Sequence, residues 1–170
     1  MYYDEIETPI GPLVLCAGEE GLCRIEFGSF RRGEPFLEAW SRKYTGADRL
    51  VRDDRFLQPA VDQLQQYFAG ERTAFDLPIQ LYGSDFQVKV WRALTGIPYG
   101  ETRSYKEIGE VIGAPKAVRA VGGANNRNPL PIVVPCHRVI GSNGAMVGYG
   151  GGLAIKEQLL GLEGYAQVTA

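Results

Sequence analysis

Histidine is almost missing from this chain: His137 is the only one in 170 residues. A zinc site built from Cys and His needs more than that. The single histidine also stands more than a hundred residues from Cys16 and Cys23. No metal and no other cofactor is therefore expected. Cysteine is scarce too, and three is an odd number, which excludes a complete disulfide framework. No apolar run approaches the ~18 residues of a membrane span, so no membrane partner is expected. The first residues, Met1 to Glu7, are acidic and lack the basic-then-apolar order of a secretion signal. A cytoplasmic protein is the expectation. Internal repeats and low-complexity stretches are absent as well.

With 45% hydrophobic residues the chain has enough apolar surface for a real core. Its length suits one large domain or two small ones. The formal net charge of −2 conceals an asymmetry. Residues 1–83 carry 9 Lys/Arg against 14 Asp/Glu, net −5, and residues 84–170 carry 9 against 6, net +3. Within 103–138 the balance is 6 basic to 2 acidic. A polyanion would meet the second half, although a basic run is also compatible with a merely solvated face.

Residues 2–7, 12–17 and 21–27 read as the strands of a β-meander. If Ala17 pairs with Leu22, Cys16 faces Cys23 on the side of Val14 and Ile25. The two then act as small buried apolar residues, with a redox pair or part of a metal site as the alternatives. Pro35–Tyr44 reads as a helix. Arg55–Ala69 reads as a stronger one, with Phe56, Leu57, Ala60, Val61, Leu64 and Phe68 at three- and four-residue steps and Gly70 as the cap. These elements make a small α+β domain over 1–75, followed by a linker at 76–83. Residues 84–170 form a second, mostly helical domain. Ser84 or Asp85 caps a helix that sets Phe86, Val90, Trp91 and Leu94 on one face. Ser104 and Glu107 have capping-box spacing ahead of a short helix. Gly113-Ala114-Pro115 breaks it, and Lys116–Asn125 restarts with Pro115 near the first turn. The pattern is helix-turn-helix. The small residues Ala117, Ala120, Gly122, Gly123 and Ala124 permit either tight helix packing or close approach to a partner. Ile132-Val133-Val134 reads as a buried strand-like run that delivers Pro135-Cys136-His137-Arg138.

Cys136 beside the single histidine is the one thiol–imidazole pair available for nucleophilic chemistry. Adjacent side chains diverge, so the two would communicate through a water or across a tight turn. A carboxylate is needed to orient the imidazole. Of the acids in the second half, Glu163 follows the last helix, beyond a glycine-heavy loop, and is the best placed. The bland alternative is a buried, inert cysteine beside a surface histidine.

Residues 84–164 resemble the C-terminal domain of the O6-alkylguanine-DNA alkyltransferases. The resemblance lies in Phe86-Gln87 with Val90-Trp91, Ile97-Pro98-Tyr99-Gly100-Glu101, Ser104-Tyr105 and Arg119-Ala120-Val121-Gly122. It continues through Asn128-Pro129, Ile132 to Ile140, Gly148-Tyr149-Gly150-Gly151-Gly152 and Leu162-Glu163-Gly164. It implies an RNase H-like N-terminal domain and a winged-helix-like C-terminal domain. It further implies a DNA repair protein, a monomer, acting on double-stranded DNA that contains O6-alkylguanine, with O4-alkylthymine a second candidate lesion. The flipped base would give its alkyl group irreversibly to Cys136, once per molecule. The roles it implies are Cys136 as acceptor, His137 as base, Glu163 as its stabiliser and Tyr105 as donor to the leaving guanine. Arg119 would fill the vacated stack, beside further DNA contacts from Tyr105, Lys116, Ala120, Gly122, Arg127 and Arg138. Backbone carbonyls of Cys136 and Val139 would read the guanine amino group, Tyr149, Gly150 and Gly151 would wall the pocket, and Asn128 would act as hinge. Some family members hold zinc in the N-terminal domain, but this chain has no histidine there. Lesion-binding relatives without the cysteine, transcriptional regulators and turnover cysteine hydrolases are the competing readings.

Overall fold

The computed structural model describes residues 1–165, so residues 166–170 of the expected second domain lie outside the described residues. The chain forms two compact units, Met1–Tyr82 and Gly83–Ala170.

The first unit is built on a four-stranded sheet in the order β3-β2-β1-β4. Its strands are β1 (Tyr2–Thr8), β2 (Gly11–Gly18), β3 (Gly21–Phe27) and β4 (Val51–Arg52). β1, β2 and β3 are antiparallel, whereas β4 runs parallel to β1. Every residue from Leu13 to Ala17 is buried. That pattern requires cover on both faces of the sheet. On one face Val14, Cys16 and Cys23 pack with Leu37 and Trp40 of α1 (Phe30–Thr45). On the other, α2 (Asp54–Phe68) presents Leu57, Ala60, Val61, Leu64 and Tyr67 at helical spacing.

Three expectations need correction here. Ala17 does pair with Leu22, but a bulge between Cys16 and Ala17 puts Arg24 opposite Cys16. The extra residue on β3 turns Cys23 toward Val14 and leaves Ile25 opposite Leu15 on the other face. Helix α1 starts five residues before Pro35, because Ser29 caps it and Glu5 accepts the Phe30 N–H. In α2 the buried aromatic is Tyr67, while Phe56 is 43% exposed and stacks on Tyr2.

The expected linker is partly built into this unit. Leu22 donates to Pro78 O and accepts from Gln80 N, so Ile79 bridges to the edge of β3. This approach leaves no room at Gly21, which has φ of 128°, and a Cβ there would stand 2.4 Å from Pro78 O. Both the strain and the clash are with backbone. Gly21→Ala is expected to cost about 2–4 kcal/mol, read as a lower urea midpoint at unchanged slope.

The second unit begins with α3 (Asp85–Leu94), whose capping box joins Ser84 and Gln87. A two-residue strand, β5 (Arg103–Ser104), leads into α4 (Tyr105–Val111), where Ser104 and Glu107 form the expected capping box. Helix α5 (Val118–Asn126) follows. It begins two residues later than expected, since Ala114–Ala117 closes its own turn and leaves Pro115 and Lys116 outside the helix. The Trp91 indole donates to Ala124 O at 2.8 Å, a buried bond that fixes α5 on α3.

Ile132-Val133-Val134 is a turn rather than a strand run. Three prolines, at 129, 131 and 135, remove the donors a ladder would need. Ile132 has φ of 76°, the one positive value outside glycine among the described residues. A 3-10 turn at Cys136–Arg138 leads into β6 (Val139–Ile140), which pairs parallel with β5. Helix α6 (Leu153–Leu162) ends on Glu163 as its cap.

Candidate active site

The Cys136–Arg138 turn sits at the buried centre of the second unit. Cys136, His137 and Arg138 are 4%, 0% and 6% exposed. Asn128 closes the preceding loop, donating to Val134 O at 2.8 Å and accepting from Leu130 N at 3.0 Å. This ties the end of α5 to the cysteine segment. Asn125 adds a second tie, donating to Cys136 O at 3.3 Å.

Glu163 gathers the other side of the centre. Its Oε2 lies 2.6 Å from His137 Nε2. Arg138 grips both oxygens, Nε to Oε1 at 2.8 Å and the second guanidinium nitrogen to Oε2 at 3.0 Å. The Gly100 N–H donates to Oε1 at 3.2 Å. With that many donors converging, the carboxylate acts as acceptor alone, so Nε2 of His137 carries the hydrogen. The lone pair of the neutral ring is then on Nδ1, which is buried and has no protein partner among the described residues. Direct contact between the two neighbours is not what the turn provides.

Sequence reasoning placed Arg138 among the DNA contacts, and the structure corrects this. Its remaining nitrogen donates to Ile97 O at 2.7 Å and its guanidinium lies over the Tyr99 ring. A side chain so enclosed offers nothing to a phosphate. By contrast Lys116, Arg119, Ala120 and Arg127 are all exposed, and Gly122 is half-buried beside the Tyr105 ring. The face of α5 that turns outward is therefore the basic and small-residue one.

Tyr105 opens α4 and donates its hydroxyl to Val147 O at 3.0 Å. The same carbonyl accepts from Lys156 Nζ at 3.1 Å. Lys156 was not anticipated. It is fully buried, and Nζ also donates to Val139 O at 2.6 Å and Gly148 O at 3.4 Å. It joins α6, β6 and the glycine loop through one ammonium. Lys156, Leu159, Leu160 and Glu163 recur at helical spacing on the inward face of α6. That spacing was the available signal. The Cys136 carbonyl accepts from the Asn125 amide and from the Val139 N–H, and the Val139 carbonyl accepts from Lys156. Gly150 approaches the end of α5, where a Cβ would meet Asn126 O at 3.3 Å; Gly151 follows it in the same loop.

Burial dominates the proton affinities. It pushes the Cys136 thiol up to about 11, against hydrogen bonds from Asn128 and Tyr149 and the Lys156 charge. His137 is held below its ordinary value by burial, with Glu163 opposing and the Arg138 and Lys156 cations reinforcing. Lys156 falls to about 8, also through burial. Tyr105 is raised by burial and then by its proximity to Cys136. Thiol and imidazole are thus both neutral at rest. Among the described residues no cluster of three or more Cys, His, Asp or Glu could hold a metal, and no helix is long and apolar enough to cross a membrane.

Residues 1–81 match the ribonuclease-like domain of 6-O-methylguanine DNA methyltransferase, and residues 85–165 match its DNA binding domain. The chain belongs to the 6-O-methylguanine DNA methyltransferase family. Among its relatives is the methylated-DNA–protein-cysteine methyltransferase of Methanosarcina acetivorans, 51% identical over 164 residues, covering 96% of this chain and 99% of the relative. The constitutive enzyme of that name from Bacillus subtilis is 48% identical, covering 95% and 94%. The crystal structure of Mycobacterium tuberculosis OGT in complex with DNA superposes with a TM-score of 0.82 at 47% identity, covering 96% and 92% of the two chains. The family's two domains account for both units, with the ribonuclease-like fold in the first and the helix-turn-helix in the second.

Proposed function

We propose that this protein repairs DNA by moving the alkyl group from O6 of guanine onto Sγ of Cys136. The observation that carries the reading is a buried thiol on one turn with an imidazole whose only open nitrogen is an acceptor. Its membership of a family whose named members are methylated-DNA–protein-cysteine methyltransferases supports it.

The reaction is an in-line displacement. Cys136 sulfur bonds to the alkyl carbon as the carbon–O6 bond breaks, and its electrons stay with guanine. The thiol proton passes through a water to Nδ1 of His137, and Glu163 stabilises the imidazolium. Guanine leaves with the bond electrons and takes a proton from the Tyr105 hydroxyl, and the phenolate regains a proton as the imidazolium gives up the one it took from the thiol. Tyr105 must exchange its bond to Val147 O for the base, so the resting hydroxyl is stored rather than aimed. No step breaks the new carbon–sulfur bond, and each molecule acts once.

The target atom lies inside the duplex, so the nucleotide must be turned out at a cost of a few kcal/mol. Arg119, exposed on α5, fills the vacated stack. Lys116 and Arg127 bind phosphates, which makes binding salt-sensitive and indifferent to sequence. The substrate is double-stranded DNA carrying O6-alkylguanine, with O4-alkylthymine presenting a similar oxygen–alkyl bond, and the protein acts as a monomer. The test is the protein's mass after incubation with duplex DNA bearing O6-methylguanine. One methyl group is expected on the peptide containing Cys136, with one lesion repaired per molecule. Multiple turnover, or a methyl group on another residue, would overturn the reading.

A further inference from the structure

We propose that Arg138 is a positioning residue of the transfer centre: its two-pronged bond to Glu163 sets both the tautomer and the charge state of His137. The inference rests on the transfer reading above, in which Nδ1 takes the thiol proton. A carboxylate alone at 2.6 Å from Nε2 would favour a protonated ring. A ring already protonated at Nδ1 cannot accept anything from Cys136. Arg138 prevents this in two ways. Its guanidinium covers both oxygens of Glu163, at 2.8 and 3.0 Å, and so cancels much of the negative charge seen by the imidazole. The fork also fixes the carboxylate plane, leaving Oε2 aimed at Nε2.

Arg138 is itself held. Ile97 O takes its third nitrogen at 2.7 Å, and the Tyr99 ring lies beneath the guanidinium. Glu163 is anchored separately by the Gly100 N–H. The Ile97–Gly100 segment therefore supports the clamp rather than the reacting atoms. The charged and titratable groups around His137 are Cys136 and Arg138 on its own turn, and Lys156 and Glu163 from α6 and its cap. Two cations face one anion. Burial already holds the ring below its ordinary value, and both cations add to that. Removing Arg138 leaves Glu163 with less opposition, so His137 should hold its proton to higher pH.

His137 is the sole histidine, so its ring signals in the untagged, histidine-labelled protein are unambiguous by NMR. In the natural protein the ring should titrate below its ordinary value of 6.5. In Arg138→Gln the midpoint should rise by about one pH unit or more. The acid limb of the single-turnover transfer rate should move upward with it. Arg138→Lys keeps a cation without the fork. It should leave the midpoint low while slowing transfer about tenfold at every pH. A merely structural role would lower the rate in both variants without moving the titration. The proposal is overturned if folded Arg138→Gln shows an unmoved midpoint. It is equally overturned if Arg138→Lys transfers at the natural rate, which decides the matter should Arg138→Gln not fold. The titration needs no alkylated DNA, so its failure is distinct from failure of the transfer reading, which the mass measurement decides.

Discussion

Replacing Cys136 with Ser is expected to abolish alkyl transfer while leaving affinity for an O6-methylguanine duplex within about threefold. A serine hydroxyl has nearly the volume of the thiol, so the 3-10 turn and its bonds to Asn125 and Asn128 should survive. What is lost is the nucleophile. The neutral imidazole of His137 is a weak base, pushed lower by burial, and cannot ionise an alcohol far less acidic than a thiol. Neither remaining cysteine can substitute. Cys16 and Cys23 are both 1% exposed in the core of the first unit, and burial raises both thiols, Cys23 to about 12. In the proposed reading DNA affinity comes from the exposed side chains of α5 and its flanks, whereas the thiol is buried. Mobility shift for binding and protein mass for transfer read the two properties separately. Methyl uptake by Cys136→Ser at any site would refute the assignment, as would loss of binding in a folded variant.

Local signals in the sequence carried much of this fold. The capping box of Ser104 and Glu107 and the helical spacing of Leu57, Ala60, Val61 and Leu64 act within a turn or two, so they are readable from a short window. The failures share a different cause. The bulge at Cys16/Ala17 depends on how two strands meet. The early start of α1 depends partly on Glu5, twenty-five residues away. Ile132-Val133-Val134 has strand composition, but its neighbouring prolines and the tie from Asn128 prevail.

At the site the same division holds. The pairing of His137 with Glu163 was legible because there is one histidine and because Glu163 follows the last helix, beyond the glycine-heavy loop. Arg138 was misassigned because it closes the predominantly basic stretch 103–138, while its carboxylate partner lies 25 residues on. Lys156 escaped because a lysine in a helix is ordinarily solvated, and only the spacing to Leu159, Leu160 and Glu163 says otherwise.

Lys156→Met is expected to slow transfer by about a hundredfold or more, with little change in DNA binding. Methionine fills the space without a donor, leaving three carbonyls short by about 1–3 kcal/mol each where no water replaces the bond. Two of them, Val147 and Gly148, belong to the loop that walls the site, and Val147 O also holds the Tyr105 hydroxyl. Freed from Lys156, the loop no longer holds the Tyr105 hydroxyl or keeps Tyr149 against the cysteine. Removing the ammonium also removes a charge that draws the thiol toward ionisation. The pH dependence gives a second signature. Burial lowers the ammonium to about 8, so above that pH the natural protein has a neutral amine with two hydrogens for three carbonyls. Its transfer rate relative to the variant should therefore decline through pH 8. The stability difference moves the other way. The folded chain releases this proton near 8 and the unfolded chain near 10.5, so the folded state binds fewer protons between those values. Stability from this group thus rises with pH across that window, and the natural protein should gain on Lys156→Met there. Single-turnover rates and urea midpoints from pH 7 to about 10 measure both effects. A variant that transfers at the natural rate would show that the loop is held by something other than this ammonium.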